Sequence, residues 1–142
     1  MSDQSFKKDV TIETIRLKPG EDLYVALQNF INNEKIEAAY IVTCVGSLTE
    51  VNIRYANQES PALLSGHFEI LSLVGTLSVN GTHLHISVAD GEGNCKGGHL
   101  MKGSKIYTTA EIVIGILPDV RYLRELDSTY GYKELVVKKR ED

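Results

Sequence analysis

The sequence predicts an α+β domain: one N-terminal helix packed on a mainly antiparallel sheet of six or seven strands. Three observations lead there. Helical apolar spacing is clear once, at Leu23, Leu27, Phe30 and Ile31. From Ala38 onward, short segments either alternate or run continuously apolar, as strands do. Turns bearing Gly and Asn separate those segments, and Asn80-Gly81 is a strong signal for linking neighbouring antiparallel strands.

Val10, Ile12, Ile15 and Leu17 suggest a first strand, with imperfect alternation around Glu13 and Thr14. Pro19-Gly20-Glu21-Asp22 opens the helix and brings acidic residues to its first turn, where the macrodipole favours them. Asn32 and Asn33 end it. AAYIVTCVGS is a buried apolar run, and LTEVNIRYAN alternates Val51, Ile53 and Tyr55 against Glu50, Asn52 and Arg54. HFEILSLVGTLSV, THLHISVAD and KIYTTAEIVIGIL supply further strands. RYLRELDSTYGYKELVV reads as a short turn region and a last strand.

A chain of 142 residues fits one domain spanning 1–142, with 1–8 and 138–142 expected to be flexible. The formal charge of −4 gives no general attraction to nucleic acid, whose binding depends on neutralising phosphates. Two cysteines make no disulfide framework, and Cys44 reads as a small buried hydrophobe. MSDQSFKKDV has no apolar signal core and no apolar run reaches the length of a membrane span, so the expectation is a cytoplasmic protein without membrane contact.

The sharpest chemical feature is a set of three histidines within seventeen residues: His83 and His85 in THLHISVAD, and His99 in CKGGHLMKG. Side chains two apart on a strand share a face, so His83 and His85 point one way while Leu84, Ile86 and Val88 pack the other. A turn over Asp90–Gly93 and Asn94 can fold the chain back and bring His99 beside them. Three converging imidazoles suit a divalent metal with an open position. Zinc is the default, and iron, nickel and copper are the alternatives. Gly97 and Gly98 permit close backbone approach or unusual dihedrals. Cys95 could be a fourth ligand, although a loop thiol is more often incidental. The competing reading has two strand histidines facing solvent or a subunit interface. His67 stands apart, with surface or core packing as its expected role.

Glu69 and Glu111 are candidate catalytic carboxylates, and Arg54 and Arg124 candidate substrate anchors. Strict alternation would place Glu69 with His67, Leu71 and Leu73, and Glu111 with Tyr107 and Thr109. Strand carboxylates more often pair with basic neighbours or face water.

With these segments read, the chain resembles the PPC ("plants and prokaryotes conserved") domain family. HFEILSLVGTLSV is similar to its signature GRFEILSLSG, and VGSLTEVNIRYAN, HLHISVADGEG, GGHL, AEIVIGIL and YGYKELVV follow the family's order. Two departures stand out. His67 replaces the Arg of the plant signature, and no Arg-Gly-Arg-Pro AT-hook core occurs. The resemblance implies a homotrimer with a metal held by His83, His85 and His99, and a DNA-associated or regulatory role. Charge and the missing AT-hook argue against direct DNA binding. LSLVG and IVIGIL are candidate contributors to the trimer interface, and the basic tail Lys138-Lys139-Arg140 is the one clustered positive charge. The fold also resembles that of acetolactate decarboxylase, which suggests a second reading: a zinc enzyme acting on a small carbonyl or carboxylate ligand. A pure protein-interaction module is the third.

Overall fold

The computed structural model describes residues 9–141, so the N-terminal segment 1–8 and Asp142 lie outside the described residues. In chain order the elements are β1 (Thr11–Leu17), α1 (Leu23–Asn33), β2 (Ala39–Arg54), β3 (Ala62–Leu77), β4 (His83–Ala89), β5 (Cys95–Leu100), β6 (Lys105–Ile116), β7 (Val120–Asp127) and β8 (Tyr132–Lys139). One helix and an antiparallel sheet match the predicted class. Among the described residues the strands number eight rather than six or seven: AAYIVTCVGS and LTEVNIRYAN join in the single strand β2, Cys95–Leu100 is a strand of its own, and the expected turn region from Arg121 holds β7.

Six strands form one sheet in the order β1-β6-β2-β3-β4-β5, and β7-β8 form a separate hairpin. The large sheet also closes on itself. β2 and β3 are sixteen residues long, and β2 shifts register against β3 and β6 between Leu48 and Glu50. Such a bulge bends and twists a strand. The far end of β2 then meets β5, with Ile53 opposite Leu100 and Arg54 opposite His99. This closure positions the site described below.

Helix α1 buries Leu23, Leu27 and Ile31, one per turn, in the core formed with Leu48, Ile53, Ile112 and Ile114. Phe30 packs against that core only in part. The acidic residues expected in the first turn lie just outside it. Asp22 is the N-cap, accepting from the Val25 N–H, while its second oxygen accepts from the Gly103 N–H. Glu21 reaches back to the Lys18 N–H. At the other end, Ile36 N–H bonds Ile31 O while Lys35 takes a left-handed conformation (φ 53°), closing the helix soon after Asn32 and Asn33.

One expectation about strand faces needs correction. A register shift between Ile70 and Ser72 turns Leu73 into the core, leaving Leu71 exposed rather than on the same side as Leu73. Ile112 and Ile114 of the run IVIGIL are fully buried, so its apolar character serves mainly the core. Cys44 is buried, as expected.

The β7-β8 hairpin is fastened to the sheet by polar contacts. Tyr122 N–H donates to Glu37 O, Tyr122 O accepts from Ser78 Oγ and Asn80 Nδ2, and Arg121 pairs with Glu37 at 3.0 Å. Lys138 and Lys139, expected in a flexible tail, end β8, and Arg140 N–H bonds Asp119 O. The described residues contain no helix long and apolar enough to cross a membrane.

Candidate metal centre

The β4-β5 hairpin builds the site. Its turn is organised by Asp90, whose carboxylate accepts from the backbone N–H groups of Glu92 and Asn94. Those hydrogen bonds hold the Asp90 carboxyl below the usual carboxylate range. The resulting register sets His85 opposite His99. Leu84, Ile86 and Val88 are buried while His83 and His85 remain exposed, as the alternation predicts.

Cross-strand partners share a face, so a row of side chains crosses the closed sheet: Arg54 on β2, His99 on β5, His85 on β4 and Val74 on β3. His83 lies two residues along β4, opposite Thr76. Gly98 makes this closure sterically feasible. A Cβ there would fall 2.6 Å from the Arg54 carbonyl oxygen. Gly97 would meet Ile86 O at 2.9 Å. Both glycines therefore serve close strand approach, and neither has the positive φ that the sequence left open.

The candidate ligand atoms of His83, His85 and His99 lie within 4.8 Å of one another, and no other such group of three is present among the described residues. Their ring centres are 4.9, 5.3 and 4.7 Å apart. A zinc ion about 2.1 Å from an imidazole nitrogen sits roughly 3.2 Å from the ring centre, which separates bound rings by about 4.5–5.2 Å at octahedral to tetrahedral angles. The observed ring spacing fits a divalent ion. Burial first, then His85, Arg124 and Arg54, lower the pKa of His83, with Glu134 opposing; burial, then Arg54 and the other two imidazoles, lower that of His99. Both shifts favour the neutral imidazole, the form that binds metal.

His83 and His99 open into a cleft of about 1080 Å³. Arg54 and Arg124, the two predicted anchors, both line it. Glu69 and Glu111 do not. They line a separate cavity of about 430 Å³ with His67 and Tyr107, whose rings meet edge to face at 4.4 Å. Ala89, opposite Glu69, is four residues from His85, or about 13 Å along an extended strand. Cys95 is equally far from His99 and pairs with Ala89, which removes it as a fourth ligand. The carboxylates that do line the histidine cleft are Glu59 and Glu134. Glu134 went unnoticed in the sequence because the strand before it, which sets the hairpin's fold-back, was read as a turn.

An antiparallel sheet closed by β2 and β5, one helix packed on it by a single face and a three-histidine cluster at the closure define a small α+β domain with a candidate metal centre. The chain belongs to the Plants and Prokaryotes Conserved (PCC) domain family, the PPC domain of the sequence comparison, whose model matches residues 4–118. It is 43% identical over 125 residues to the bifunctional protein GlmU of Synechococcus sp. (strain JA-3-3Ab); the match covers 88% of this chain and 20% of that protein. The chain thus spans about a fifth of the length of the curated relatives it matches first. Among solved structures it resembles a hypothetical protein from Salmonella cholerae-suis (40% identity, TM-score 0.94, covering 96% of this chain and 99% of that one). It also resembles a metal-containing protein from Archaeoglobus fulgidus (26% identity, TM-score 0.81, covering 94% and 99%).

Proposed function

We propose that this protein is a homotrimeric metal-binding PPC-domain protein, in which His83, His85 and His99 hold a zinc ion at the end of an open cleft that admits a small molecule. The convergence of three imidazoles within 4.8 Å carries this reading, and the metal-containing relative from Archaeoglobus fulgidus supports it. A bound zinc ion would supply Lewis acidity toward a carbonyl or carboxylate oxygen. Around it, His83 and His99 face the cleft and His85 completes the set from the sheet surface. Glu59 and Glu134 are the carboxylates that line this cleft and would exchange protons there; Glu69 and Glu111 line a separate cavity.

Assembly is supported by the sheet face opposite the helix, where Val42, Val45, Leu71 and Val74 are about half exposed. Exposed apolar side chains grouped in this way mark association surfaces. A DNA-associated role draws less support. Of the basic tail, Lys138 approaches Glu125 and Arg140 approaches Glu37, both at 4.0 Å.

Elemental analysis of freshly purified, tagless protein tests the metal. Stoichiometric zinc is expected, with loss of the metal in His83→Ala/His85→Ala at an unchanged circular dichroism spectrum. A folded wild type that takes up no metal after reconstitution would overturn the reading. Light scattering tests assembly: a mass three times 15.7 kDa is expected. Leu71→Glu should reduce it to the monomer with the metal retained.

A further inference from the structure

The residues matched by the family model end at 118, before β7 begins. The β7-β8 hairpin nevertheless forms one wall of the histidine cleft, through Arg124, Tyr132, Lys133 and Glu134. The sheet contributes Arg54 from the opposite side, next to His99. Two half-buried arginines therefore face one cavity beside three imidazoles.

Neither arginine is in a direct ion pair. Among the described residues, the ion pairs within 4.0 Å are Arg121–Glu37, Lys138–Glu125 and Arg140–Glu37, and none involves Arg54 or Arg124. Both are held in place by uncharged partners instead. Arg54 donates to Gln58 O at 3.2 Å, and Arg124 donates to Thr76 Oγ1 at 2.8 Å. The stem of Arg124 crosses the Asn80-Gly81 turn so closely that a Cβ at Gly81 would lie 2.9 Å from its Cγ. A guanidinium has five donors in a fixed fork. One bond each leaves most of the donors of both forks available to a ligand in the cleft. Lys133 adds a third positive charge, against Glu59 and Glu134. This concentration of cations occurs in a chain whose net charge is −4, so it does not reflect composition.

We propose that the β7-β8 hairpin makes the histidine cleft an anion-recognition site, in which Arg54 and Arg124 bind the carboxylate or phosphate oxygens of a small organic ligand. The inference rests on the proposed function in one respect only: the same cleft holds the metal. The arginines do not need the metal to attract an anion, so the two readings can fail separately. The hairpin acts as the specificity element, while the histidines belong to the family-matched body of the sheet.

Titration calorimetry on metal-free protein, with malonate in one arm and glycerol 3-phosphate in the other, tests this. At least one probe is expected to bind, and which one identifies the carboxylate or phosphate source. Arg54→Gln and Arg124→Gln should each weaken binding by about tenfold or more. Arg121→Gln, whose arginine is paired with Glu37 outside the cleft, should leave binding unchanged. Amide NMR shifts in the wild-type protein give a readout that needs no variant to fold, with perturbations expected at Arg54, His83, Arg124 and Tyr132. Absence of binding by both probes, shifts mapping outside the cleft, or undiminished binding in both cleft variants would each overturn the proposal. Zinc content measured without anion reports on the metal separately.

Discussion

The sheet carries two polar clusters that look alike in composition and differ in what their side chains do. In the cavity around His67, the groups occupy one another. Arg16 donates to Thr109 Oγ1, Thr109 Oγ1 donates to Glu111, and the hydroxyls of Ser47 and Thr108 are 2.8 Å apart. His67 packs edge-on against Tyr107. In the histidine cleft, three imidazoles crowd together, and two arginines lack carboxylate partners. Positive charges held near one another repel, and a bound anion relieves that repulsion, while neutral imidazoles keep lone pairs that a metal ion can take. The first arrangement explains itself as surface structure; the second calls for a ligand.

The largest effect expected from breaking this contrast is on metal affinity. His85→Ala should weaken zinc binding by more than about 100-fold, since altering groups that merely support a ligand already costs about 10–100-fold. Glu69→Gln and Glu111→Gln should leave zinc stoichiometry at the wild-type level. Competition with a chromogenic chelator measures all three, and a metal loss in either Glu variant would dissolve the distinction between the clusters. Next in size is the closure that creates the cleft. Gly98→Ala places a Cβ 2.6 Å from Arg54 O and should cost about 1–3 kcal/mol by urea denaturation. Gly91→Ala, in the hairpin turn with nothing within 4 Å, should change stability by less than about 0.5 kcal/mol.

The contrast was only half legible in the sequence. His83 and His85 declared a shared face through the period of a strand, and the Asp90 to Asn94 turn foretold the return of His99. These are local signals carried by adjacent residues. Arg54 entered as a candidate by residue type, but its place opposite His99 depends on a bulge in β2 and a strand closure between residues 45 apart in sequence. No local pattern encodes that. The same limit applies to Leu73, which strict alternation put on the wrong face because the β3 bulge is invisible without its partner strand. The β7 strand was missed because its sequence, VRYLRELD, lacks clean alternation. It is held by backbone and polar contacts more than by burial. With β7 went any view of Glu134 and of a cleft wall.

A smaller effect is on the titration of His83 and His99. Burial and nearby cations lower the pKa of His83 and His99, so both stay neutral to lower pH than a free imidazole. In the unfolded chain they protonate first as pH falls through the ordinary histidine value of about 6.5. The folded state therefore loses stability on acidification through that value, and keeps it in full above. Carbon-bound imidazole protons followed by NMR on metal-free protein should show His83 and His99 titrating below the free value. Midpoints at or above it would remove the electrostatic coupling between the imidazoles and the cleft arginines.

The smallest effect concerns the two thiols, which test whether the sheet interior is as closed as the cleft is open. Burial, followed by the charge of Glu111, raises the Cys44 thiol to about 12, whereas Cys95 is exposed on β5. The thiolate is the reactive form. At pH 8 a thiol-specific disulfide reagent should modify one cysteine per chain in the folded protein and two after denaturation. Cys95→Ala should abolish the native signal while leaving zinc bound, because Cys95 lies beside Ala89 and away from the imidazoles. Loss of zinc in that variant would return Cys95 to the ligand set and shift the metal centre toward the hairpin turn. Fast modification of Cys44 would mean that β2 and β6 separate readily, and the closed sheet would then be too mobile to hold Arg54 against His99.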